Sequence, residues 1–271
     1  MSDKMRPVCV IGSGPAGLLA AHAVCQAGLP LVIVSDGKRS RLGGAQFLHA
    51  PIPGITQAAR PDTTVVYQRR GDPEVYRRKA FGSLKVDWKP WTEGGQPEAR
   101  HAWSLDWTYG KLWDLFESTI QFGNNKVHVD HEWLEKVQGE FSMIVSTVPL
   151  ASLCQEPDRH QFVNQLVRIV AEPYEDLPDD TVLYDGTQEK SWYRTSRIFN
   201  TCFTEWGQDA KTPPGVNDLI TDYKPMSTTC TCLDKYDRLI KVGRRGKWDA
   251  REFSHGAYYD TMMVIGAMYG R

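Results

Sequence analysis

Near the amino end the chain reads Gly12-Ser13-Gly14-Pro15-Ala16-Gly17, a glycine spacing that lets backbone N–H groups close around a phosphate. In such a loop Gly12 permits the tight turn and Gly14 lets the main chain approach a pyrophosphate. Gly17 then lets the following helix pack closely on the preceding strand. The alternative is a glycine-rich turn with no ligand, and the flanking sequence separates the two readings.

Val8-Cys9-Val10-Ile11 is short, apolar and β-branched, as a buried strand should be. Pro15 to Val24 carries small and aliphatic residues at helical spacing, and Gly28 stands where a helix C-cap belongs. Leu31-Val32-Ile33-Val34 reads as a second buried strand. Strand, helix and strand frame the glycines as a βαβ unit requires, with a diphosphate expected on the free N–H groups at the positive end of the helix. The acid that usually binds the ribose belongs at the end of the second strand, where the sequence has Ser35-Asp36, one residue late.

With 271 residues, 41% of them hydrophobic and 24% charged, the chain is long enough for one large or two interleaved α/β domains. A net charge of −1 gives no global attraction to nucleic acid, so contact with a polyanion would need a local patch. Arg244-Arg245-Gly246-Lys247, and Arg69-Arg70 with Arg77-Arg78-Lys79, are the candidates. No signal-peptide pattern opens the chain and no apolar run approaches a membrane span, which leads us to expect a soluble, cytoplasmic protein. Of six cysteines only Cys230 and Cys232 are close in sequence, and they lack a second pair to complete a zinc site. No metal is expected, and core thiols are the plainer reading.

Downstream, the glycines and prolines of residues 38–54 exclude a long regular element and suit a second ligand-contacting loop. Residues 62–91 read as strands and turns, with Thr64 to Tyr67 the clearest strand, followed by a loop at Gly94 to Pro97. Trp103 to Phe122 shows helical recurrence and Lys126 to Val129 a short strand. Phe141 to Pro149 is a buried strand ending in a turn. Phe162 to Val170 could be helix or strand. Thr181 to Tyr184, Arg197 to Phe199 and Leu239 to Val242 read as strands, with a proline-rich loop at 212–214 and a last helix over Gly256 to Tyr269.

Together, GSGPAG at the start, Leu42-Gly43-Gly44, Ile144 to Pro149 and Gly243-Arg244-Arg245-Gly246-Lys247-Trp248 before a closing helix resemble the FAD-binding fold of flavin amine oxidases, protoporphyrinogen oxidase and UDP-galactopyranose mutase. The resemblance covers about half the chain. It implies an α/β, Rossmann-like FAD-binding domain from residues 1–60, 120–155 and 235–271, with a reduced, mainly β substrate region at 61–119 and 156–234. It also implies roles. Gly12, Ser13, Gly14, Pro15, Ala16 and Gly17 would hold the diphosphate; Ser35 or Asp36 the ribose; Arg41 or Lys38 the adenosine half; and Val129 the adenine through its backbone. Gly43, Gly44 and Gln46 would pass the ribityl chain and ring. Thr147 would lie at the cofactor, Gly243 and Arg244 at the diphosphate or ribityl chain, and Gly256 and Ala257 at the pyrimidine edge of the flavin. Ser35 in place of the acid, the insertion from Asp249 to Ser254 and the short chain depart from the family pattern.

His49 and His255 follow cofactor-contacting segments and are the candidate proton-transfer groups, with hydrogen-bonded structural histidines as the alternative. In Ser191 to Arg197, a strand would place Trp192 and Arg194 on one face, an aromatic and a guanidinium able to grip a planar or anionic substrate. Tyr193, Thr195 and Arg197 would share the other. The tryptophans, Trp88, Trp91, Trp103, Trp107 and Trp113 among them, suit packing or stacking. The leading expectation is an FAD-dependent oxidoreductase acting at a carbon–nitrogen bond of a small amine-bearing or nucleoside-like substrate. The alternatives are a flavin-dependent lyase or mutase, a non-catalytic nucleotide-binding module and a nicotinamide-only dehydrogenase. Compact virus-encoded flavoenzymes that modify thymine in DNA offer a fold-level analogy to the lyase or mutase.

Overall fold

The computed structural model describes residues 6–35, 39–56, 61–86, 97–122, 129–211 and 219–270. Asp36, Lys38, Trp88, Trp91, most of the 94–97 loop, the 126–128 stretch and the 212–214 prolines lie outside the described residues.

In chain order the first elements are β1 (Val8–Ile11), α1 (Pro15–Gln26), β2 (Leu31–Ser35), β3 (Thr63–Gly71), α2 (Pro73–Phe81) and β4 (Glu98–Ala102). Then come α3 (Leu105–Phe116), β5 (Ile120–Phe122), α4 (His131–Val137), β6 (Met143–Ser146) and α5 (Leu150–Leu153). The remainder is β7 (Phe162–Val170), β8 (Thr181–Gly186), β9 (Arg194–Ile198), β10 (Thr201–Gly207), β11 (Leu219–Thr228), β12 (Leu239–Lys241), α6 (Gly243–Lys247) and α7 (Gly256–Tyr269).

A parallel sheet runs β12-β6-β1-β2-β5, and a larger mixed sheet runs β11-β7-β10-β9-β8-β3-β4. Both faces of β1 are buried, which is why it reads as an unbroken apolar run. Val8 and Val10 pack with α1, α3 and α7, while Cys9 and Ile11 pack with Leu134 of α4, Leu150 and Leu153 of α5, and Trp248. The chain leaves the parallel sheet after β2 and again after α5, each time to build part of the mixed sheet. Helix α3, within the 61–119 stretch expected to serve substrate, packs in the core beside α1.

Several elements differ from the sequence reading. Residues 73–81 form a helix, capped by the Asp72 carboxylate on the Glu74 N–H with Pro73 at its first position, a start signal of standard chemistry. The helical pattern after Trp103 stops at Phe116. The chain passes through a 3₁₀ turn, and Ile120 to Phe122 instead extend the parallel sheet beside β2. Phe162 to Val170 resolves as strand. The strand at Arg197 ends at Ile198, because Phe199 (φ 51°) and Asn200 (φ 60°) make the two-residue turn into β10. The last helix covers the expected residues, Gly256–Tyr269.

Candidate functional site

Helix α1 opens on Gly14, which makes no side-chain cap, and its first turn carries no acid. Its leading N–H groups lack intrahelical partners, leaving the positive end of a helix free for an anion. The glycines are required by space. A Cβ on Gly17 would stand 2.0 Å from the Gly12 carbonyl oxygen. One on Gly12, whose φ is 106°, would stand 2.2 Å from Thr147 Oγ1. Thr147 Oγ1 in turn donates to the Ile11 carbonyl at 2.8 Å, fastening the β6 turn to the end of β1.

Gly14, Pro15, Ala16 and Gly17 border a cavity of about 1210 Å³ between the two sheets. Arg41, Gln46, Thr147, Gly243 and Arg244 also line it, and so does His49 at another part of the wall. Seven cationic side chains line this space, Arg41, Arg69, Arg100, Arg194, Lys224, Arg244 and Arg245, against the carboxylates of Glu98, Asp222 and Glu252 and that of Glu205, which pairs with Arg194 and Lys224 from behind the wall. The cavity therefore suits an anionic occupant.

Two polar atoms on its wall are buried without a protein hydrogen-bond partner, His49 Nδ1 and Arg244 Nε. Such orphans call for a partner the protein does not supply. Burial, reinforced by Arg194, pushes the Arg244 guanidinium below its ordinary pKa. With a glycine cradle, an uncapped helix end and orphaned polar atoms along the wall of one cavity, the residues fit a dinucleotide such as FAD.

The structure brings His49 and His255 together, with ring centroids 5.9 Å apart. Phe253 packs against both, at 4.5 Å from His49 and 5.6 Å from His255, and Phe47 covers His49 at 4.4 Å. Burial, then the neighbouring His255 and Arg100, pulls the His49 pKa down to about 4. Burial also lowers His255, opposed by Glu252 and Asp260. His49 is thus neutral near pH 7 and able to accept a proton.

Arg194 lies on the cavity wall, yet its guanidinium grips Glu205, which also accepts from Tyr193 Oη at 2.6 Å and Lys224 Nζ at 2.7 Å. The expected pairing of Trp192 with Arg194 on one face does not form. Strand β9 begins only at Arg194, so Tyr193 and Arg194 both reach the same carboxylate. Trp192 packs instead with Leu183 and Trp206, with Arg70 and Lys79 over its ring. Burial alone would raise the Glu205 pKa; Arg194 and Lys224 overcome it and hold the carboxyl far below the ordinary range. Lys224 is pulled by burial down to about 8, against the attraction of Glu205.

Gly43 and Gly44 do not border the cavity. They press on the mixed sheet, where a Cβ on Gly44 would stand 2.6 Å from Glu205 Oε1 and one on Gly43 3.0 Å from Ile220. Gln46 donates back to the Gly43 carbonyl at 2.6 Å. At the end of β2, Ser35 Oγ meets Ser13 Oγ at 2.5 Å, so a hydroxyl pair occupies the place where the family pattern has an acid. Val129 packs with the β1 face that carries Cys9 and Ile11. Gly256 and Ala257 open α7, which has no side-chain cap and no acid in its first turn.

Sequence reading passed over Glu205 and the aromatic wall of Tyr67, Tyr76 and Tyr184, in which Tyr67 and Tyr184 stack at 6.0 Å and 9°. The one sequence signal for Glu205 was an acid standing between Thr204 and Trp206 in a strand otherwise free of charge.

The fold is α/β, a Rossmann-like parallel sheet joined to a mixed β-sheet, the architecture of FAD-binding enzymes. No protein-family profile and no curated protein sequence matches the chain. Among solved structures, reduced UDP-galactopyranose mutase superposes with a TM-score of 0.62 at 11% identity, over 98% of this chain and 94% of the other. For 2-methyl-3-hydroxypyridine-5-carboxylic acid oxygenase the values are 0.56 and 14%, over 99% and 84%. For the flavin-dependent brominase Bmp2 they are 0.52 and 15%, over 97% and 78%. What the chain shares with these proteins is the fold. Among the described residues, no helix is long and apolar enough to cross a membrane.

Proposed function

We propose that this protein is an FAD-dependent oxidoreductase that acts at a carbon–nitrogen bond of a small, nucleoside-like substrate. The observation that carries the reading is the shared cavity: the phosphate-sized cradle of Gly14 to Gly17 and the His49 site open into one cationic space. Bound FAD would supply the two-electron acceptor. Its diphosphate would rest on the α1 N-terminus beside Gly243 and Arg244, and the start of α7 would offer a second positive helix end to the ring.

His49, kept neutral by burial, would accept a proton at Nδ1 from the substrate nitrogen. Phe47 and Phe253 pack against its ring and hold its orientation. The stacked Tyr67 and Tyr184 provide a flat wall for a planar ring. The cationic lining favours a neutral or phosphorylated substrate, so an amine would enter uncharged.

The test is the visible spectrum of the natively purified protein before and after anaerobic dithionite. Bands that bleach support the reading, and turnover of amines and modified nucleosides with and without oxygen then identifies the reaction. Colourless protein that takes up no added FAD overturns it in favour of a nucleotide-binding module. The extent of the mutase likeness, 94% of that chain, favours a second reading, a rearrangement without net redox change. Turnover that requires reduced cofactor but consumes no reductant would select it.

A further inference from the structure

Cys154, His160, Cys230 and Cys232 come from two chain segments about 70 residues apart, yet their ligand atoms all lie within 4.8 Å of one another. Cys154 Sγ is 3.7 Å from Cys232 Sγ. His160 Nδ1 is 3.2 Å from Cys154 Sγ and 3.7 Å from Cys232 Sγ. Zinc bonds of about 2.3 Å to sulfur and about 2.0 Å to imidazole nitrogen make a tetrahedron with S···S edges near ~3.8 Å and S···N edges near ~3.5 Å. The three measured separations are close to those edges, so a central ion requires little rearrangement.

A disulfide does not explain the cluster. The Cys154–Cys232 separation is far beyond a bonded pair, and all six cysteines are free thiols. The surroundings enclose the four ligand atoms. Backbone N–H groups of Gln155 and Glu156 point at the sulfurs, Cys154 and Cys230 are buried, and Leu150, Leu153, Leu233, Tyr236 and Trp248 form an apolar shell. Three sulfurs and one imidazole select zinc over calcium or magnesium.

We propose that Cys154, His160, Cys230 and Cys232 bind one structural zinc ion. Four protein ligands leave no open position for a reacting water, so the site holds structure. Its placement says what it holds. Cys154 caps α5 and His160 precedes β7, where the chain leaves the parallel sheet; Cys230 and Cys232 follow β11, where it returns. The ion would staple the outgoing and incoming ends of this crossing, where β7 and β11 pair. The sequence showed only the Cys230-Cys232 pair. The fold adds the other two ligands.

The experiment is elemental analysis of the full-length protein purified under reducing conditions without chelator, combined with Co²⁺ reconstitution of the stripped protein. The expected result is one zinc per chain and, with Co²⁺, thiolate charge-transfer and tetrahedral ligand-field bands. Cys232→Ser and His160→Gln should lose the metal, while Cys25→Ser, an exposed thiol elsewhere, should retain it. If a ligand variant fails to fold, zinc release from the wild-type chain by a mercurial thiol reagent gives the same answer. Metal-free protein that takes up neither Zn²⁺ nor Co²⁺ overturns the proposal. So does a mass 2 Da low from a disulfide within the cluster, or full zinc retention by Cys154→Ser/Cys232→Ser. Zinc content is read independently of flavin, so this proposal and the functional one fail separately.

Discussion

Arg194 and Glu205 stand opposite each other on the antiparallel strands β9 and β10, with Arg194 Nε donating to Glu205 Oε1 at 2.9 Å. The carboxylate is 1% exposed, and Lys224 and Tyr193 complete its shell from the other oxygen. A buried carboxylate held this way matters chiefly through what its loss leaves behind. Glu205→Gln should strand two cations in the interior, a change that costs about 3–5 kcal/mol when a buried pair is broken. Urea denaturation of wild type and variant measures it. Because the folded pKa of Glu205 is depressed, its stabilisation is full above the unfolded value near ~4.3 and is lost as pH falls toward the folded one. The acid limb of the stability profile should therefore be shallower in Glu205→Gln.

Arg244 should respond in the opposite sense. Its guanidinium is desolvated beside Arg194 and its Nε has no protein partner. Arg244→Met should leave the ligand-free protein at least as stable as wild type, while weakening FAD or ADP binding about tenfold, the effect of losing one charge-assisted contact of about 1.4 kcal/mol. Calorimetric titration against a thermal melt of the same samples separates the two effects. A fall in both would show Arg244 to be structural.

His49 is predicted to titrate near its lowered value of about 4. The folded pKa lies below the unfolded one near ~6.5, so its contribution to stability is full above that value and is lost as pH falls toward 4. Following the His49 ring proton by NMR from pH 3 to 8, with His49→Gln to assign it, checks the direction. If His49 is the proton acceptor, His49→Gln should also remove the acid limb of the pH–rate profile, the fall in rate as His49 protonates toward pH 4, without changing flavin content.

At the cradle, Gly17→Ala forces a Cβ to 2.0 Å from a backbone oxygen, so α1 must shift from β1. The flavin-to-protein ratio after native purification should fall at least tenfold. Gly139→Ala, where nothing lies within 4 Å of the added Cβ, should retain the wild-type ratio.

The sequence by itself determined the β1–α1–β2 unit and its glycine cradle, the strand leading to Thr147, and the closing helix at Gly256. Each rests on spacing within one short segment: apolar runs, 3.6-residue recurrence, and glycines where a Cβ has no room. Tertiary structure decided the chemistry around them. Tyr193 and Arg194 converge on Glu205 because β9 begins at Arg194, which the residue types do not reveal. His49 and His255 meet across 206 positions, and Cys154 reaches Cys232 across 78. Contacts of that separation depend on which strands pair and where the chain crosses between sheets. Hydrophobic patterning places a residue inside or outside, but only the completed topology chooses its neighbours.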